Sequence, residues 1–141
     1  MASFVKFSPF CSALATGKHN FVTATVWLQL HASAPSTAYA YESQLSADIA
    51  TGGSYVNGGT SVGVAASTGQ TGGTYKLCLT DKVLTAAAGG IATFRYIVLF
   101  NQSAANDDLM GYYDYGSNVT LSVGETFTID FSAANGVLTI A

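Results

Sequence analysis

The chain has 141 residues, a net charge of −3, and only 9% charged residues beside 49% hydrophobic ones. An average globular domain carries about 25% charged residues, so serine, threonine, asparagine, glutamine and glycine stand where charges would be. The five cations, Lys6, Lys18, Lys76, Lys82 and Arg95, are scattered and form no basic stripe, which argues against direct nucleic-acid binding, and no apolar run approaches the ~20 residues of a membrane span.

The N-terminal residues 1–10 carry Phe4, Phe7 and Phe10 and no glycine turn; they read as an arm preceding a single domain over 11–141. Lys6 and the stretch after it imitate a secretory leader, but Ser8, Pro9, Cys11 and Ser12 interrupt its apolar core. Synthesis and retention in a reducing cytoplasm are expected, with Cys11 and Cys78 as unpaired thiols. Ser8-Pro9 predicts one short helix through Ala15, ended by Gly17.

From residue 24 onward the pattern alternates with period two, the strand signature. Residues 24–30 put Val26, Leu28 and Leu30 inward and Thr25, Trp27 and Gln29 outward. Val62 and Val64 mark a weaker strand. In 74–80, Tyr75, Leu77 and Leu79 share a face. Residues 93–100 place Phe94, Tyr96, Val98 and Phe100 on one side; Ile97 and Leu99 make the second half apolar on both faces, as in a central, doubly covered strand. Segments 109–115 and 118–123 read as two further strands, the second with Val119, Leu121 and Val123 inward. A tight connection at 122–125 leads to 125–131, where Phe127, Ile129 and Phe131 alternate with Thr126, Thr128 and Asp130. Asn135-Gly136 reads as a hairpin turn before the last strand, 137–140, so the final three strands form a meander. Short strands separated by glycine turns predict an antiparallel β-sandwich of jelly-roll type, because one amphipathic sheet needs a second to cover it.

Little in the sequence points to catalysis. His19 and His31 are the only histidines, each at a strand end with no evident partner. No Gly-x-Ser-x-Gly elbow and no His-Glu-x-x-His occurs. Asp107, Asp108 and Asp114 could offer oxygens to calcium, but their spacing matches no EF-hand. The glycine-rich stretches 59–63 and 69–73 lack the lysine and helix of a phosphate loop. The expectation is therefore no catalytic residue, no cofactor and no metal. Trp27 and Gln29 on the outward phase, with Phe4, Phe7 and Phe10 of the arm, are the interface candidates.

The segments ADIATGGSY (47–55), FRYIVLFN (94–101), LMGYYDYGS (109–117), TFTIDF (126–131) and NGVLTI (135–140) resemble a family of small tailed-bacteriophage virion proteins, from about Phe10 to the C-terminus. The resemblance implies a capsid decoration, or cement, protein on the outer surface of the virion. Its partners would be the major capsid protein and other copies of itself, a dimer first, with neither nucleic acid nor membrane bound directly. The alternative is a receptor- or carbohydrate-binding β-domain of the phage tail, using Trp27, Tyr112, Tyr113 and Tyr115 as stacking platforms.

Overall fold

The computed structural model describes residues 2–141. In chain order the strands are β1 (Ser3–Lys6), β2 (Val26–His31), β3 (Thr60–Val62), β4 (Gly69–Thr71), β5 (Thr74–Leu77), β6 (Lys82–Thr85), β7 (Ile91–Asn101), β8 (Asp108–Leu121), β9 (Thr126–Ile129) and β10 (Leu138–Ile140). The one α-helix, α1 (Phe10–Ala15), lies between β1 and β2. The fold is all-β, antiparallel and sandwich-like.

One layer is a five-stranded sheet in the order β1-β8-β7-β2-β3. The other consists of β10-β5-β4 and β6-β9. These are successive halves of one long antiparallel ribbon, since β5 leads to β6 and β9 leads to β10. Leu77 faces Leu138 and Lys82 faces Ile129, so residues 130–137 lie opposite the shorter stretch 78–81. The surplus is pushed out as a loop. Residues 60–71 pass from one layer to the other. β3 pairs with β2, the Thr80 amide then donates to the Gly63 carbonyl at 2.8 Å, and β4 pairs with β5. Strands that change sheets in this way make the corners of a sandwich.

Between the layers sits the main core, with Val26, Leu28, Leu30, Leu77, Leu84, Ile91, Phe94, Ile97 and Leu99 buried together. A smaller cluster of Phe7, Val98, Phe100, Leu109 and Tyr112 occupies the opposite face of the five-stranded sheet. Tyr39 and Leu45, from the long connection between β2 and β3, pack onto it. Backbone bonds from Ser8 to Thr37 and from Leu109 to Ala40 tie that connection down.

Several expectations are met locally and corrected globally. Helix α1 forms where Ser8-Pro9 places it. At its end the Gly17 and Lys18 amides donate to the Leu14 and Ala13 carbonyls, the paired bonds of a Schellman stop. In β7 the doubly covered section is present, but the register against β8 shifts between Phe94 and Tyr96. Phe94 therefore joins Ile97 and Leu99 in the main core, while Val98 and Phe100 point the other way. A single inserted residue reverses every side chain beyond it. Segments 109–115 and 118–123 are not two strands but one, β8. Gly116, at φ +92, supplies the left-handed residue that lets the strand bend without ending. Val123 lies in the following turn and is 67% exposed.

The expected C-terminal meander is not formed. The turn at 122–125 closes with Glu125 donating to Ser122 at 3.0 Å, yet it carries the chain from one layer to the other, and β9 pairs with β6. Asn135-Gly136 is also a turn, but β9 and β10 lie end to end along the ribbon instead of pairing. Turn residues fix local dihedrals; burial of Phe127, Ile129 and Phe131 against the first layer decides the partner.

Of the proposed arm at 1–10, Met1 lies outside the described residues, and the rest packs as part of the β domain. β1 pairs with β8, with Val5 opposite Tyr112 and Lys6 opposite Gly111. Phe7 is fully buried and Phe10 nearly so. At Gly111 a Cβ would come within 2.9 Å of the Val5 carbonyl and into the Phe4 ring, so glycine is what admits β1 to the sheet edge. Phe7→Ala should lower stability by about 3–5 kcal/mol, the cost of emptying a buried phenylalanine site. Chemical denaturation checks this; an unchanged midpoint would mean that the segment packs only loosely on the sheet.

Candidate functional site

The five interface candidates pack, to differing degrees, against their own chain. Phe7 and Phe10 are buried in their own chain, and Phe4 is half-buried with its ring centroid 5.0 Å from that of Tyr113. Trp27 does lie on the face opposite Val26, Leu28 and Leu30, as the alternation requires, but it packs within the smaller cluster, 6.3 Å from the Phe100 ring. Gln29 is buried, not outward. Trp27 and Gln29 are covered because Tyr39, Glu42, Leu45 and Gly58 lie over the outer face of β2, which no local pattern announces, whereas Phe4 and Phe10 pack on the main core.

Under that roof lies a polar network. Gln29 donates from Nε2 to a Glu42 carboxylate oxygen and to the Gly58 carbonyl at 3.2 Å. Both are acceptors only, so the Gln29 carbonyl oxygen is left to accept from His31 Nε2 at 3.0 Å. The imidazole proton is thereby assigned to Nε2. Beyond the end of β3, the Tyr55 hydroxyl donates to Asp48 and accepts from the Leu30 amide at 3.0 Å. Asp48 also accepts from Asn57 Nδ2 at 2.9 Å and the Gly58 amide at 2.6 Å. Burial, reinforced by the Asp48 hydrogen bond, pushes the Tyr55 hydroxyl far above its ordinary range. These groups hold one another and close the edge of β2.

A second polar cluster caps the main core beside α1. The His19 ring stacks on Phe21 at 5.8 Å and leans on Phe10 at 5.0 Å. Its Nδ1 stands 3.5 Å from Asn101 Nδ2. Buried Asp108 pairs with Lys18 at 3.4 Å, and Lys18 Nζ sits 5.5 Å over the Tyr41 ring. The other carboxylates considered for calcium do not converge on Asp108: Asp114 forms a two-pronged pair with Arg95 at 2.7 and 2.9 Å. Among the described residues no three His, Cys, Asp or Glu side chains come together. Cys11 is exposed, Cys78 is buried, and they are not bonded to each other. No helix among the described residues is long and apolar enough to cross a membrane.

An aromatic-lined opening lies elsewhere, where β8 meets the loop between β9 and β10. It holds about 320 Å³, and its apolar lining includes Ile97, Tyr113, Tyr115, Phe127 and Phe131. Thr128, Asp130, Ser132 and Asn135 supply its polar lining. Of the tyrosines named from the sequence as stacking platforms, Tyr113 and Tyr115 line this groove, whereas Tyr112 faces the other side of the sheet in the smaller cluster. Burial raises the Tyr113 hydroxyl to about 12, so it remains a neutral donor and acceptor. Comparison with family models, with curated proteins and with solved structures finds no match for this chain.

The two histidines set an acid limit on the fold. Burial holds each below its ordinary value of 6.5; Asp108 opposes the effect at His19 and Asp48 at His31. The unfolded chain therefore binds protons that the folded chain resists. Their contribution is complete above about pH 6.5 and is lost progressively as pH falls toward the depressed values. Melting temperature should drop between pH 7.5 and pH 5, and both His19→Gln and His31→Gln should flatten that slope. A slope unaltered in both variants would show that these imidazoles titrate normally.

Proposed function

We propose that the chain is a structural, non-enzymatic component of a tailed-phage particle: a capsid decoration protein that binds the outer shell and stabilises contacts between major capsid subunits. The observation that carries this reading is the outer face of the β6–β9 ribbon. There Thr85 lies opposite Thr126 and Val83 opposite Thr128, all four exposed. Val83 is 53% exposed. A flat β surface of branched, uncharged side chains can be buried against a neighbour without stripping water from charges, which is the expensive part of making a polar contact. His31 supports the same reading, because its Nε2 is engaged with Gln29 inside the fold. The virion-like wording of 94–101 and 109–117 falls on β7 and β8, the framework of the five-stranded sheet.

In this role the protein would act by linkage. A ligand that binds only one state of a shell stabilises that state by RT ln(1 + L/Kd) per site, L being the free ligand concentration. Many identical sites multiply a modest free energy per site. Partners would be the major capsid protein and further copies of the chain.

Quantitative mass spectrometry of purified particles tests the reading by counting copies. A number scaling with the major capsid protein, in the hundreds, is expected. A handful of copies would shift the protein to the tail, and none would remove it from the particle. The surface assignment has its own check. A Val83→Asp, Thr128→Asp variant places charges in the proposed contact and should bind stripped, expanded shells at least tenfold more weakly, a loss of about 1.4 kcal/mol, with its melting temperature unchanged. Full binding by that variant would move the contact to another face.

A further inference from the structure

We propose that the groove between β8 and the β9–β10 loop binds a neutral sugar, one or two rings long. This goes beyond a capsid role and does not depend on it.

Three features of the groove point to that chemistry. The first is its shape and size. At about 320 Å³ it stands at the small end of the roughly 300–1,000 Å³ range of ligand sites. Tyr115 and Phe127 meet edge to face at 5.4 Å and 75°, forming an aromatic corner. Tyr115 is 46% exposed, so part of its ring is available to stack against the apolar face of a pyranose. The second is the rim. The Ser132 hydroxyl and the Asn135 amide both donate and accept, matching the alternating hydroxyls of a sugar. The only charged side chain in the lining is Asp130. No Lys or Arg is among the lining residues, so the lining offers a phosphorylated or carboxylated ligand no positive charge. A quaternary ammonium could use the rings and Asp130, but it would leave the hydroxyl and amide groups unused.

The third feature is preorganisation. Ser132 holds a left-handed φ of +43, unusual for a residue other than glycine. It is fixed there by its amide donating to Asp130 Oδ1 at 2.7 Å and by its carbonyl accepting from the Gly136 amide at 2.8 Å. A rim already locked in this way loses little further entropy on binding.

The test is a 1H–15N NMR titration of the full chain with methyl glycosides of glucose, galactose, mannose and N-acetylglucosamine and with neutral disaccharides. Glucose 6-phosphate and choline serve as charged controls. At least one neutral sugar should give saturable shifts confined to residues 113–115 and 127–136, in the millimolar range. Tyr115→Ala should weaken binding tenfold or more with an unchanged melting temperature, and Tyr115→Phe, which keeps the ring, should retain it within about twofold. Asn135→Ala, at an exposed loop position, should also weaken binding.

The proposal is overturned if no neutral sugar saturates or if choline or glucose 6-phosphate binds as well. It is equally overturned if Tyr115→Ala binds normally. Shifts of the same residues on dilution of the sugar-free protein would show instead that a second copy fills the groove. None of these outcomes alters the copy number per particle, so this proposal and the capsid reading fail separately.

Discussion

Between Ile97 and Phe100 the central strand of the five-stranded sheet offers no polar side chain to solvent on either face. β7 is hydrogen-bonded on both edges, to β2 and to β8, so neither its backbone nor its side chains can be left wet. Two coverings are required, and the rest of the chain supplies them. Leu77, Leu84, Ile129 and Phe131 of the second layer cover Ile97 and Leu99. Phe7, Tyr39, Leu45 and Trp27 cover Val98 and Phe100. The register shift at Phe94 is part of the same solution. It sends one more phenylalanine into the larger core, where Phe127 meets its ring edge-on at 5.4 Å.

The two coverings are of different kinds. The second layer is a β ribbon with its own ladder, so its backbone polar groups are largely satisfied before it packs. The roof over β2 is irregular chain, and burying such chain leaves amides and carbonyls that need partners. That need explains the density of polar contacts around it. Gln44 accepts from the Ala40 and Tyr41 amides at 2.7 and 3.0 Å, Asp48 takes the Gly58 amide, and Glu42 is engaged by Gln29. Histidine and carboxylate side chains collected in this way imitate a catalytic cluster in composition. In geometry each is spent on holding the roof in place.

The legible part of the sequence was whatever depends on neighbours along the chain. The alternation of Val26, Leu28 and Leu30, the stop of α1 at Gly17, and the double burial of 97–100 follow from period and turn chemistry alone. What local pattern could not give was pairing at long range. The residues of β9 alternate the same way whether they pair with β8 or β6, and Gly116 has the same dihedral freedom whether it ends a strand or bends one. Gln29 sits on the polar phase of β2 by every local rule, yet it is buried because residues 42 and 58 come to lie over it. Phe7 looks like part of a free arm because residues 1–10 carry no turn that folds them back; the partner of this segment is β8, more than a hundred residues away.

The groove arises from a mismatch of lengths. Had β9 run directly into β10, the ribbon would lie flat on the five-stranded sheet and seal its edge. Instead residues 130–137 oppose the shorter 78–81, and the surplus cannot be absorbed in the ladder. Asp81 accepts the Phe131 amide at 2.9 Å and Lys76 Nζ donates to the Ala133 and Ala134 carbonyls at 3.2 and 3.0 Å, so the loop is drawn toward the β5–β6 side. Tyr113 and Tyr115 of β8 meet the second layer through Phe131 at 6.2 Å and Phe127 at 5.4 Å between ring centroids. The same two rings also line the groove. A fold needing only closure would have no use for the extra residues, whereas one presenting aromatic rings to a ligand needs the second layer interrupted at this point.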